Sequence, residues 1–306
     1  MNKHITGLFL LVVVLLLSCR NKAGLDDNGN PDKLIISMYS GDNTNQIKAT
    51  IEPMRLYLQK KLGIKVEYIF TRDYTSSITA LRDKKIHMAS LTPYAYIIAA
   101  QRPGLLPLVS IGENGKVSVH HSIMFASHKS GIKTINDLKA HAKELTLSFA
   151  NPASSSGHLI PREYLTSIGL DPDIAFKHII FSATHTVSIL NVKSGKADIG
   201  CSTSDLPQYK LIKDDATKNA GLVILWTSPQ IMNDVMTIRS DLNGDFINKV
   251  RNAYLSVAKE DFQALKAYAQ LYHTNSNDIS YVAANDSMYN SLRNKANNIA
   301  ELKLEK

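Results

Sequence analysis

The sequence predicts an α/β fold of two similar lobes with a ligand cleft between them, and two observations carry that expectation. Short apolar, β-rich runs alternate with helical patterns from residue 33 onward, the pattern of strand–helix units. The segments "ITALRDKKIHMAS" (78–90) and "ILNVKSGKADIGC" (189–201) share a helix, a basic turn and a buried strand in matching register, once in each half. Two α/β lobes place ligand groups at strand ends and helix N-termini, which is where a cleft forms.

The elements follow in order. "KLIISMYS" (33–40) is the first strand, and "NQIKATIEPMRLYLQKKLG" (45–63) is a helix that Gly63 closes. "IKVEYIF" (64–70) alternates as a strand does, "SSITALRDKK" (76–85) has helical spacing, and "IHMASL" (86–91) is a strand. Pro93 opens the helix "PYAYIIAAQR" (93–102), at the position where its missing N–H costs no bond. "LLPLVSIG" (105–112) and "VSVHHSIMFAS" (117–127) are strands. The alternation resumes with helix "INDLKAH" (135–141), strand "ELTLSFA" (144–150), a helix from Ser155, and strand "HIIFS" (178–182). Helix "HTVSILNVKSG" (185–195) and strand "KADIGCS" (196–202) complete the second half. After "GLVILWTS" (221–228) and "DVMTIRS" (234–240) the pattern is mostly helical. This order predicts largely parallel sheets. It assigns 33–121 to the first part of lobe 1, 122–228 to lobe 2, and 229–306 to the return into lobe 1 with the C-terminal helices.

Residues 1–18 read as a secretory leader: Lys3 and His4 precede "GLFLLVVVLLL", a run short for a membrane span. Leu16, Leu17, Ser18 and Cys19 resemble a bacterial lipobox, which implies a lipid on Cys19 and an envelope location. That location is the periplasmic side of a membrane, or the outer face in a single-membrane bacterium. Residues 19–32 are polar, lack periodicity and read as a tether. Cys201 is the other cysteine, so no intrachain disulfide forms once Cys19 carries lipid, and its strand context marks it as a small core residue. The net charge of +8 favours anions at long range but is spread evenly, without the basic runs of nucleic-acid binders. The chain has no HExxH, GxSxG or Walker run, and the Ser and His of "SSSGH" do not make a nucleophile–base pair by spacing. No catalysis, metal or other cofactor is implied.

"NPASSSGHLIP" (151–161) sets Ser154, Ser155 and Ser156 at the mouth of a helix. The first N–H groups of a helix lack internal acceptors and lie at its positive end. One serine suffices as a cap; three hydroxyls together with those N–H groups suit an oxyanion. Gly157 lets backbone approach a ligand without an intervening Cβ.

That segment, followed at compatible spacing by "GLDPDIAFKHIIFSATH" (169–185) and "VKSGKADIG" (192–200), resembles the phosphate/phosphite/phosphonate-binding proteins of ABC importers. Their signature is D-P-x-S-T-S-G-[HY]-L-x-P, then G-[IL]-D-P, then F-S-x-[ST]-H. "RDYTSSITALRDKKIHMASLTPYAYIIA" (72–99) and "VHHSIMFASHKSGIKTINDLK" (119–139) extend the likeness, which runs from about residue 34 to 260. The resemblance implies a type 2 periplasmic binding protein that captures a phosphorus oxyanion for an ABC permease in the inner membrane.

It also implies site residues. His185 joins Ser154, Ser155, Ser156 and Gly157 on the phosphonate oxygens, and Tyr74 offers a phenol donor at another helix mouth, where lobe packing is the competing reading. Tyr96, spaced as a core residue from Ile97 and Ala100, is a further candidate. His121 and Ser122 stand where the chain crosses between lobes. Asp205 and Asp234 occupy regions whose acids hold the ligand ammonium in aminoalkylphosphonate-binding members, though each also reads as a surface acid or helix cap. Asn151 replaces the family's Asp, Ser155 its Thr, Thr92 its Gly and His87 an acid; none of these removes a hydroxyl from the serine run. A binding protein that reports to a membrane signalling receptor would use the same fold, so fold alone does not separate the two.

Overall fold

The computed structural model describes residues 24–40, 44–204, 222–269, 278–297 and 299. The expected leader, Cys19 and Asp205 lie outside the described residues.

Lobe 1 begins with β1 (Lys33–Tyr39), α1 (Thr44–Leu62), β2 (Lys65–Thr71), α2 (Tyr74–Arg82), β3 (Met88–Leu91), α3 (Pro93–Ala100), β4 (Leu105–Glu113) and β5 (Lys116–Val117). The chain crosses through β6 (Val119–His120) into lobe 2, built from β7 (Ser122–Ser127), α4 (Ile135–His141) and β8 (Thr146–Phe149). A π turn (Ser155–Leu159) leads directly into α5 (Ile160–Ser167). Then come α6 (Pro172–Ala175), β9 (His178–Phe181), α7 (His185–Lys193), β10 (Ile199–Thr203) and β11 (Leu222–Thr227). The return passes through β12 (Ile231–Met232) to β13 (Val235–Arg239), α8 (Gly244–Glu260), α9 (Phe262–Ala269), β14 (Ile279–Ala283) and α10 (Asn290–Asn297).

Among the described residues, one sheet runs β14-β4-β13-β3-β1-β2 with β5 beside β4, and the other runs β11-β7-β10-β8-β9. Five strands correspond in order and direction. In lobe 1, β2, β1 and β3 are parallel and β13 and β4 follow antiparallel. In lobe 2, β9, β8 and β10 are parallel and β7 and β11 follow antiparallel. The repeated segment seen in the sequence therefore occupies the same place twice, as α2–β3 and as α7–β10.

The sheets are mixed rather than largely parallel. The cause is the double crossing: β7 and β13 are the first long strands after the chain changes lobes, and each enters its sheet against the direction of its β3 or β10 neighbour. The run expected as one strand, 117–127, is broken near His121, where its first part leaves the sheets to pair with β12.

Alternation along the strands fills two cores in each lobe. Leu34, Ile36 and Met38 point to α1, α8 and α9, while Ile35 faces Ile78 of α2 and Ile97 of α3. In lobe 2, Met124 and Ala126 pack with Leu138, Phe149 and Leu165, whereas Ile123 and Phe125 pack with Ile189 and Val192. Each fully buried aliphatic or aromatic side chain contributes about 1.5–3 kcal/mol relative to exposure. Cys201 lies in the lobe 2 core, and burial pushes its thiol above the ordinary range.

The stretch read as tether differs from its expectation after residue 24. Leu25 and Pro31 bridge, and Asp26 Oδ1 accepts the N–H groups of Asn28 and Asn30 at 2.9 and 2.8 Å. The Asn243 N–H then ties Gly29 to the start of α8 at 2.9 Å. Asn, Asp and Gly serve here as turn formers.

Candidate functional site

The serine segment begins where β8 ends. Asn151 Oδ1 accepts the Ala153 N–H at 2.9 Å, so the amide oxygen does what an aspartate oxygen would do. Ser154 is the cap: its hydroxyl accepts the Gly157 N–H at 3.0 Å. The turn that follows is wide, with the Leu159 N–H bonded to Ser154 O at 3.1 Å and the Ile160 N–H to Ser155 O. Pro161 explains part of this. It has no N–H to return to the Gly157 carbonyl, which accepts the Ala150 N–H at 2.9 Å instead. Such π turns are frequent at functional sites.

The three serines have different tasks. Ser154, besides capping, lies 3.4 Å from His185 Nε2. The Ser155 hydroxyl accepts the Tyr94 N–H from the first turn of α3 at 2.9 Å, a bond between lobes. The Ser156 carbonyl accepts the Ser122 hydroxyl at 2.6 Å. Ser122 is fully buried and its single proton is committed there, which corrects its place among the ligand-binding candidates. It positions the serine turn.

Four helix N-termini meet at this line. α2 starts at Tyr74 after the Asp73 cap, α3 at Pro93 after Thr92, the π turn after Ser154, and α7 at His185 after Thr184. Their aligned dipoles and first N–H groups give the cleft a positive lining. Thr92 bridges the lobes as well: its hydroxyl accepts the Ala95 N–H at 3.1 Å and donates to the Ala153 carbonyl at 2.9 Å.

His185 opens α7 and packs over Gly157. A Cβ on Gly157 would collide with Ala150 and would meet His185 Cε1 at 2.8 Å. The Nδ1 atom of His185 is buried and has no hydrogen-bond partner among the described residues. Burial first, and then the neighbouring His120, holds this imidazole far below its ordinary value, at about 3.

Tyr74 is buried and stacks on Tyr39, with centroids 4.5 Å apart. Burial, then the Asp234 charge, then Tyr39 hold its phenol well above its ordinary value, so it remains a donor. Asp234 stands just before β13, half-buried, with Ser90 Oγ 3.4 Å from Oδ2. Tyr74 and Asp234 are thus neighbours in lobe 1, as Ser154 and His185 are in lobe 2, and Tyr39, stacked on Tyr74, reaches the Ala183 carbonyl two residues before His185.

Two candidates sit elsewhere. Tyr96 is a core residue, not a cleft residue: its hydroxyl donates to Asp286 at 2.7 Å and its ring packs on Tyr289 at 4.8 Å. His121 is tied to the crossing, where Nδ1–H donates to the Ser228 carbonyl at 2.7 Å. His87, in the place of an acid, accepts the Ile35 N–H on Nδ1 at 3.0 Å and is fully buried.

Sequence reasoning missed two cleft residues. Tyr39 ends β1 and sends its hydroxyl across to the Ala183 carbonyl at 3.4 Å; its position at a strand C-terminus was the available signal. His120 is buried at the crossing, and its charge would depress His185 further. Its Nδ1–H donates to Asn233 Oδ1 at 2.6 Å, and burial lowers its pKa to about 4.

A family model described as the periplasmic substrate-binding protein of phosphonate ABC transporters matches residues 36–289. The chain belongs to this family. Among its relatives, the phosphate-import protein PhnD of Mycolicibacterium smegmatis is 26% identical over 234 residues, 74% of this chain and 72% of that protein. The phosphonates-binding periplasmic protein of Escherichia coli is 26% identical over 228 residues, 74% of this chain and 66% of that one. In fold, the chain matches PhnD1 from Prochlorococcus marinus, solved with methylphosphonate, at a TM-score of 0.73 and 19% identity. That match covers 88% of this chain and 98% of the other. The two lobes are those of a type 2 periplasmic binding protein, and the family is one of substrate-binding proteins of ABC transport.

Proposed function

We propose that this protein captures a small phosphorus oxyanion, a phosphonate, phosphite or phosphate, between its lobes and delivers it to an ABC permease. The observation that carries this reading is the meeting of four capped helix N-termini with the Ser154–Gly157 turn, His185 and Tyr74. These segments carry hydroxyl, imidazole and phenol donors from both lobes, and a tetrahedral anion with several oxygens can accept from both lobes at once. Related proteins named for phosphate, phosphonates and phosphite share the family, so the anionic face is common and the remainder of the ligand varies. Asp234, close to Tyr74, favours a ligand that also carries an ammonium group.

The test is calorimetry on residues 20 to 306 with phosphate, phosphite, methylphosphonate and 2-aminoethylphosphonate. Saturable binding of at least one is expected, with 2-aminoethylphosphonate tighter than methylphosphonate and Asp234→Asn erasing that difference. No binding across the panel would overturn the reading. Cys19 anchors the chain through lipid in this proposal; acyl labelling of the full chain, lost in Cys19→Ala, checks it, and an unlabelled, fully soluble wild type refutes it.

A further inference from the structure

His158 lies inside the serine turn, and no role follows for it from an anion cleft. It is buried between Phe149 and Phe181, with ring centroids at 5.0 and 4.9 Å. Its Nδ1 is 2.6 Å from the Pro152 carbonyl, six residues back. A carbonyl only accepts, so Nδ1 carries the proton and Nε2 presents a lone pair. Arg162, one helical turn on, donates its Nε–H to that lone pair at 2.9 Å. The same guanidinium is buried, lies 5.2 Å from the centre of the Phe149 ring, and reaches Asp173 of α6 with two bonds of 2.8 and 3.2 Å.

We infer that Asp173, Arg162 and His158 form a positioning relay that holds the Pro152–Gly157 turn in its ligand-ready shape. Each member fixes the next. The carboxylate orients the planar fork, the fork selects the imidazole tautomer, and the imidazole pulls the Pro152 carbonyl inward. That carbonyl precedes Ala153, whose own carbonyl meets Thr92, and Ser154 and Ser155, which meet His185 and Tyr94. A single π turn is a rare departure from the α-helix, and here side-chain bonds from outside the turn hold it. Arg162 and Asp173, with Tyr94 and Phe181, also line a groove of about 460 Å³ between the lobes, so solvent reaches the outer end of the relay.

The relay acts through hydrogen bonds, and two variants of His158 separate it from mere packing. His158→Phe keeps an aromatic ring between Phe149 and Phe181 but has no donor. His158→Asn loses the ring but can place an amide N–H where Nδ1–H was. The readouts on the purified full chain are backbone amide shifts of Ala153–Gly157 and ligand affinity, the latter resting on the anion-binding reading above. His158→Phe should displace those amides and weaken the best anion of the four-compound panel about tenfold. His158→Asn should return both toward wild type, and in the wild type the side-chain nitrogen shifts should show the Nδ1–H tautomer. Asp173→Asn should give an intermediate change in the same amides. If Phe keeps wild-type amide shifts, or Asn lies no closer to wild type than Phe does, the relay is refuted. A wild type that binds no anion would defeat the anion-binding reading alone, because the amide comparison needs no ligand.

Discussion

The Tyr94 N–H donates to the Ser155 hydroxyl at 2.9 Å, so a helix of one lobe is bonded to the serine turn of the other. A hydroxyl that accepts one bond still has a proton to give. Ser155 can therefore stand between the α3 dipole and an anion, and its own donation is strengthened by the bond it receives.

Replacing that hydroxyl breaks both bonds. Ser155→Ala should weaken anion binding by about one to two decades, the range for a lost bond to a charged group. Ser154 still caps the turn, so the melting temperature should change little. Calorimetry with thermal denaturation decides it; a large fall in melting temperature at unchanged affinity would make Ser155 purely structural.

Thr92 adds a second bond between the lobes that the family's usual glycine cannot make. Thr92→Gly should raise the ligand off-rate about three- to tenfold, while exchange of the α3 cap for glycine costs only about a few tenths of a kcal/mol of stability. Thr92→Ser keeps the hydroxyl and should restore the slow off-rate. Stopped-flow release measures this, and equal off-rates for Gly and Ser would remove Thr92 from closure.

Gly157 has no room for a side chain under His185 and beside Ala150. Gly157→Ala should cost about 1–3 kcal/mol through overpacking. It should also weaken anion binding at least about tenfold by shifting the imidazole and its partner Ser154. Wild-type affinity in this variant would place the anion away from His185.

Acid should destabilise the protein. Burial holds His87, His120 and His158 at about 4 and His185 at about 3, against about 6.5 when unfolded. Between those values the unfolded chain binds more protons than the native one, so stability falls as pH drops from about 6.5 toward 3. Thermal denaturation at constant ionic strength should show a declining melting temperature across that window, and a shallower slope for His120→Gln. A flat profile would contradict the burial of these imidazoles.

The lobes were legible in the sequence because strand and helix periods differ and because 78–90 and 189–201 repeat one pattern. Mixed strand directions were not, since apolar alternation in β7 or β13 says nothing about the neighbour it will meet. In the site, the serine run announced itself by composition, and Ser154 and Ser155 face other groups of the cleft. Ser122 misled because a residue type shows which bonds are available, not where the proton is sent, whereas Tyr96 lies in the core as its helical spacing indicated. Tyr39 was hidden for the opposite reason, since it looks ordinary in its own segment, and His158 stood in the motif without a visible role; their partners, Ala183 and Arg162 with Asp173, are set by the folded chain.

The two crossings between the lobes are stapled to each other. Asn233 holds Ser118 through Nδ2–H at 2.8 Å and its backbone N–H at 3.0 Å, while accepting from His120. Ser122 and Ser228 exchange two further bonds, each of 2.9 Å. A single strand would allow the lobes to bend, twist and slide; two strands riveted side by side resist twisting and sliding and leave one soft rotation. A separation of the lobes would then be a swing about the line of the rivets, and it would break the Tyr94–Ser155 and Thr92–Ala153 bonds. The same edge of the lobes would part each time, so a single face of the molecule would carry both entry and release.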